Sequence, residues 1–262
     1  MKDYGIKLGS ILFTMVEPHK GHEVEYNRWY ERDHFYAGCM IGANTFSGAR
    51  YVATKPCKQL RYPAESPITP DRSIGSYLAL YWILEGHHDE WNRWGVDQVN
   101  WLHANGRMFA ERDHVHTLLY DYDWAVLRDP EGPSAELALD HRYPGLVVVV
   151  GEAAEGTGRD QVDEWYRNEH LPSALVGSPV AMCLALDPLP LLSDAPGDVP
   201  RTEADNRRFL HLYFIDTDPG AVWSDTFAGH GEELEKTGLG KVVWASPFVA
   251  TVVGTDTYAD QL

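Results

Sequence analysis

The stretch Glu25-Tyr-Asn-Arg-Trp-Tyr-Glu-Arg-Asp-His34 returns as Gln161-Val-Asp-Glu-Trp-Tyr-Arg-Asn-Glu-His170, so that Trp29, Tyr30 and His34 have counterparts in Trp165, Tyr166 and His170, each pair 136 residues apart. An offset of about half the chain leaves no room for a third copy, and the sequence reads as a tandem duplication. Around the first copy, apolar runs at residues 6–16, 45–53, 76–84 and 116–127 predict four strands, interrupted by helices over 23–38 and 87–109. The second half repeats that order, with strands at 146–150, 180–186, 209–215 and 242–254 and helices at 160–176 and 220–236. Each half is thus expected to be a βαββαβ, ferredoxin-like unit. The turn-rich junction Arg128-Asp-Pro-Glu-Gly-Pro-Ser134 places the units at 1–133 and 134–262.

The expected fold class is α+β, with the two sheets facing each other as an intramolecular barrel and the helices outside, because a four-stranded sheet with helices on one face leaves its other face bare. Along the third strands two rows alternate. Leu78, Leu80, Trp82 and Leu84 are assigned to the helix side, and Tyr77, Ala79 and Tyr81 to the barrel lumen; Leu210, Leu212 and Phe214 oppose Phe209, His211 and Tyr213 in the same way. An aromatic, partly polar lumen suits a pocket, since a buried phenol or imidazole needs a partner. Two proline-rich segments, 55–75 and 187–207, each join the second strand of a unit to its third and are candidate lids.

With 262 residues, 44% hydrophobic and 23% charged, the chain has the composition of an ordinary soluble globular protein. Its net charge of −17 and scattered basic residues exclude nucleic acid and anionic membrane surfaces as expected partners. Three cysteines without a C-x-x-C spacing argue against a disulfide framework or thiolate zinc site and point to a reducing cytoplasm. The run Ile11-Leu-Phe-Thr-Met-Val16 is too short for a signal sequence and ends at Glu17 and Pro18. No G-x-S-x-G, P-loop, H-E-x-x-H or dinucleotide spacing is present, which removes hydrolase, kinase and Rossmann readings.

The repeated Trp-Tyr-x-x-(Asp/Glu)-His, followed by Leu171-Pro172 in the second copy and by Ser47-Gly-Ala-Arg-Tyr51 in the first, resembles the EthD-like branch of the dimeric α+β barrel superfamily. The resemblance covers nearly the whole chain, as a fused version of what is usually a homodimer. It implies a small-molecule enzyme, since members include polyketide cyclases, cofactor-independent monooxygenases, muconolactone isomerases and haem-handling enzymes. The first copy departs from His-Leu-Pro by carrying His34-Phe35-Tyr36, so the two sites need not be equivalent.

Candidate catalytic residues are His34 and His170, each four residues after a tyrosine and so on one helix face with it, together with His211, Tyr81 and Tyr213 on the strands. His211 stands where the first half has Ala79, which suggests that one half is specialised. Tyr30, Tyr166, Tyr77, Phe209 and Arg50 are candidate substrate-binding residues, Arg50 as a holder of a carboxylate or enolate oxygen. His87-His88-Asp89-Glu90 lacks the facial spacing of a metal site apart from His87 and Glu90, and His114 and His116 read as one face of a strand. No metal and no cofactor is expected; haem on His211 or His230 is the alternative.

The expected activity is acid/base chemistry on an aromatic or polyketide-like substrate: cyclase, isomerase or lyase. The alternatives are a cofactor-independent or haem-dependent oxidoreductase, and a non-catalytic binding or scaffolding protein. The expected partner is a small-molecule substrate, with the chain a monomer or homodimer.

Overall fold

A computed structural model describes residues 5–191, 195–201 and 204–262. The first half contains β1 (Leu8–Pro18), α1 (Glu23–Trp29) running into a π-helical segment (Tyr30–Met40), β2 (Thr45–Val52), a short α2 (Lys55–Leu60), β3 (Tyr77–Leu84), α3 (His88–Ala104) and β4 (Arg112–Leu127). After α4 (Ala135–Ala138), the second half contains β5 (Gly145–Ala153), α5 (Arg159–Trp165) with a π turn (Tyr166–His170), α6 (Leu171–Ala174), β6 (Val180–Leu189), β7 (Arg208–Ile215), α7 (Pro219–Thr226), α8 (His230–Thr237) and β8 (Gly240–Ala250). The expected order of strands and helices holds. The expected last helix of the second half is two short ones, and α2 and α4 carry no periodicity long enough to be seen in the sequence.

The eight strands close an antiparallel barrel in the order β1-β3-β2-β8-β5-β7-β6-β4. Each half contributes its strands in the same order, its fourth beside its first, then its third and its second. The two seams differ. Strands β4 and β6 pair from Leu119↔Leu189 to Leu127↔Met182, whereas β2 and β8 pair only at Tyr51↔Ala250 and Val52↔Val249.

The assignment of the strand faces is reversed in the structure. Leu78, Leu80 and Trp82 point into the barrel with Leu210, Leu212 and Phe214, and the Trp82 and Phe214 rings lie 6.1 Å apart across it. Tyr77, Ala79 and Tyr81 pack instead against the helices with Tyr26, Tyr30 and Trp91, and Phe209, His211 and Tyr213 do the same with Tyr166, Phe227 and Leu234. Both rows are apolar enough to be buried, so the hydroxyls decide. On the helix side the Tyr81 hydroxyl meets that of Tyr30 at 2.8 Å, while the facing rows inside the barrel at this level are leucine, tryptophan and phenylalanine. Most of the barrel interior is therefore a packed core, with a space of ≈ 10 Å³ beside His116 and Tyr120 and a cleft of ≈ 320 Å³ at the β2–β8 seam that reaches Trp82 and Phe214. A further cavity lies outside it, between sheet and helices.

His114 and His116 also separate. A bulge between Met15 and Val16 of β1 and the facing β4 residues puts His116 inside, hydrogen-bonded to Tyr120 Oη at 2.8 Å, and His114 outside, 2.7 Å from Thr117 Oγ1. The three cysteines are free and buried. Among the described residues no helix is long and apolar enough to cross a membrane, and no group of His, Cys, Asp or Glu is arranged to hold a metal.

Candidate active site

In both copies the repeated motif lies where an α-helix widens into a π turn. In the wider turn residues five apart come into register, and the imidazole stacks on the motif tryptophan: His34 on Trp29 at 4.5 Å, His170 on Trp165 at 4.9 Å. The tyrosine four residues before each histidine meets it edge-on, at 5.1 Å for Tyr30 and 5.5 Å for Tyr166. Asp33 does not charge its neighbour; it is bound by the Arg107 guanidinium. Gly38 completes the first turn, because a Cβ there would stand 2.7 Å from His34 Cε1.

His34 lines a cavity of ≈ 100 Å³ between β1 and β4 on one side and the first-half helices on the other. Its walls are mainly apolar, with Leu12, Val16, Trp91, Val99 and Leu119 among them. Tyr30 and Cys39 add polar atoms: Tyr30 Oη lies 2.8 Å from Tyr81 Oη. Thr14, Thr117 and His114 form a hydroxyl and imidazole cluster on the sheet, with Thr14 Oγ1 2.9 Å from Thr117 Oγ1. Segment 195–199 of the second half closes the mouth. There Asp198 accepts from Arg112 Nη2 at 2.8 Å and lies 3.5 Å from His103 Nε2.

Neither nitrogen of His34 makes a hydrogen bond to the described residues, and Nδ1 is buried. Burial pushes its pKa down to about 3, with the Arg112 cation adding to the effect, so the ring is neutral near pH 7. Burial likewise lowers His114 to about 4 and raises the Cys39 thiol to about 12, which leaves Cys39 protonated and weakly reactive. The Tyr30 and Tyr81 phenols are raised by the same cause and act as hydrogen-bond donors, not as phenolates.

The second-half counterpart is filled. His211 is fully buried, its ring centroid 4.4 Å from that of Tyr166 and 5.2 Å from that of Trp124, with Nε2 unpartnered and its pKa well below the ordinary value through burial. Tyr166 Oη is 3.0 Å from His230 Nε2, and His170 Nδ1 is 3.4 Å from Glu233. Tyr62 reaches across from the first half and donates to Phe227 O at 2.8 Å.

Of the residues singled out in the sequence, His34 and Tyr30 therefore stand together on the cavity wall, with Tyr81 behind Tyr30. His170, Tyr166, His211, Tyr213 and Phe209 form a separate packed cluster, and Tyr77 supports Tyr26 at 5.1 Å. Arg50 lies outside the cavity, over the Tyr30 ring at 4.4 Å. His87 pairs with Glu90 at the surface, and His88 Nδ1 lies 2.8 Å from Ser10 Oγ. Thr14, Thr117, Cys39, Arg112 and Asp198 carried no signal in the sequence; each becomes part of the site through distant pairing. His114 was visible as half of an H-x-H pair, but only the bulge turns it to the cavity.

The His34 cavity has no room for a haem. The cavity is smaller than the roughly 300–1,000 Å³ of sites for drug-sized ligands, and neither His211 nor His230 lines it.

No protein-family model and no curated protein matches this sequence. Solved structures do share its fold. An anthrone oxidase-like protein superposes with a TM-score of 0.56 at 8% identity, covering 95% of each chain. An assigned chlorite dismutase gives 0.55 at 13% identity, over 98% of this chain and 100% of that one. An assigned monooxygenase from Fusobacterium nucleatum subsp. nucleatum gives 0.52 at 8%, over 94% and 93%. At these identities the likeness establishes the α+β barrel fold over 94–98% of the chain.

Proposed function

We propose that the first-half cavity is the active site of a small-molecule enzyme and that His34 is its acid/base residue. One observation carries this: His34 alone of the two motif histidines lines a cavity with both nitrogens unengaged, whereas His170 faces Glu233 in a filled layer. The substrate is a small aromatic or polyketide-like compound, matched in polarity to the mainly apolar walls. His34 accepts a proton from an enolisable C–H or phenolic O–H; the dry surroundings that make it a weak base when the site is empty stabilise it as an ion pair once the neighbouring oxyanion forms. Tyr30, supported by Tyr81, donates to that oxygen.

This first step serves a cyclase, isomerase or lyase. It serves equally a cofactor-independent oxygenase, in which the electron-rich anion meets O2, and the oxidase and monooxygenase names of two structural neighbours favour that variant. We also read the chain as a fused pair of EthD-like units divided between residues 133 and 134, in which only the first kept an open site.

Deuterium exchange into the α-position of 2-tetralone, followed by NMR, tests the proton transfer without assuming O2. The wild type is expected to accelerate exchange and His34→Ala to lose it with an unchanged melting temperature. Exchange that survives His34→Ala, or is lost equally in His170→Ala, refutes the assignment.

A further inference from the structure

We propose that two tyrosines at the mouth of the barrel, Tyr51 and Tyr143, form a second ligand site, in which their hydroxyls hold the carbonyl oxygen of an uncharged aromatic lactone or ketone. Because β2 and β8 pair only at Tyr51 and Val52, the barrel stays open along the rest of the β2 edge. The cleft left there, ≈ 320 Å³, is within the usual range for small ligands and shares no wall residue with the His34 cavity.

The groups that meet a ligand here are those of the barrel-facing row. Strand alternation puts Ala49 and Tyr51 of β2 on the same face as Leu80 and Leu78, their partners on β3, whereas Arg50 turns to the helices and pairs with Glu31. Tyr143, between α4 and β5, joins the same interior: its ring is 5.2 Å from that of Phe214, which lies 6.1 Å from that of Trp82. Tyr51 and Tyr143 are only 3% and 6% exposed, and both line the cleft. Neither hydroxyl makes a hydrogen bond to the described residues, yet neither belongs to the unpartnered atoms shut off from solvent, so both oxygens are open to the cavity that the two side chains line. Burial raises both phenols above their ordinary range, and at Tyr51 the neighbouring Tyr143 adds to the rise, so both are protonated donors near pH 7.

Two donors without an acceptor suit one carbonyl oxygen, which has a lone pair for each. The charged side chains of the wall cancel, Glu31 against Arg50 and, at the exposed rim, Asp140 against Arg142, so no net attraction offsets the desolvation of an ion. The ligand is therefore neutral, and the Trp82, Phe214, Tyr51 and Tyr143 rings suit a flat one.

Calorimetric titration of the full chain with coumarin, with 2H-chromene, which has CH2 in place of the carbonyl, and with coumarin-3-carboxylate tests the site. One molecule of coumarin is expected to bind, with 2H-chromene about tenfold weaker and the carboxylate also weaker than coumarin. The double change Tyr51→Phe and Tyr143→Phe keeps both rings and should bring coumarin down to the level of 2H-chromene without altering 2H-chromene itself; either single change should remove part of the preference. His34→Ala should leave all three affinities unchanged. Absence of coumarin binding, equal affinity for coumarin and 2H-chromene, tighter binding of the carboxylate, a preference that survives removal of the two hydroxyls, or loss in His34→Ala overturns the proposal. Since the readout does not use the His34 cavity, its failure and that of the proposed activity are distinguishable.

Discussion

Ala79 of β3 and His211 of β7 hold the same register position, facing Thr14 of β1 and Val149 of β5, and the layers above them have opposite fates. Over His211 the helix–sheet space is occupied by the imidazole itself, by Tyr166 and by Tyr62 from the other half. In the first half, whose strand carries the small Ala79, the space beside β1 and β4, under the helices and segment 195–199, remains a cavity. The long segments after β2 and β6 thus cross over, each covering the layer of the opposite half. The first is firmly built: Arg61 is 2% exposed and donates to Ser246 Oγ and the carbonyls of Arg72, Ile74 and Gly75. The second rests on the exposed-side contacts of Asp198 with Arg112 and His103. Two halves with the same strand order therefore keep the same skeleton while one holds a cavity and the other fills the corresponding space with side chains.

The largest effect should come from the part the two halves share. Trp82→Ala removes a buried ring from the barrel interior and is expected to cost about 3–5 kcal/mol in urea unfolding; a cost near zero would mean that the interior is loosely packed. Next, Tyr62→Ala should destabilise by about 2–4 kcal/mol through lost packing and a lost hydrogen bond to Phe227, and it should convert the second layer toward the open state of the first. Hydrogen exchange that slackens over α7 and α8, and not over α3, is the expected signature.

An acid titration sharpens the comparison further. Burial holds His34 and His230 at about 3 and His114 and His116 at about 4, against an ordinary value of 6.5. The unfolded chain binds more protons between these values, so stability is full above pH 6.5 and falls as the pH drops toward 3–4. The melting temperature should follow that course, and His230→Gln should flatten it more than a substitution of exposed His141. The smallest effect is expected from Thr14→Val, which copies Val149 into the first half and removes one hydroxyl pair, for about 1 kcal/mol.

How far the sequence foretold all this varies by element. The spacing of Trp29, Tyr30 and His34 from their counterparts was enough for the element order and the barrel, because a duplicated amphipathic pattern has few ways to bury its faces. The direction of Tyr81, Tyr213 and His211 was not legible, since Leu80 and Tyr81 alternate as equally buriable rows and the hydroxyl that meets Tyr81, that of Tyr30, lies 51 residues before it. The π turn that stacks His34 on Trp29 has no composition of its own. The crossing of Tyr62 and Asp198 to the opposite half depends on irregular segments without periodicity, and the bulge that parts His114 from His116 is set by pairing with β1. The candidate site was thus half visible: His34 and Tyr30 were named, while the choice between the two motif copies required the structure.

The difference between the two layers is tested most directly by diffraction from crystals soaked in 2-naphthol. The account predicts ligand density beside His34, between β1, β4 and α3, and none beside His211 and Tyr166. Density in the second layer, or inside the barrel between Leu80 and Leu212, would contradict it.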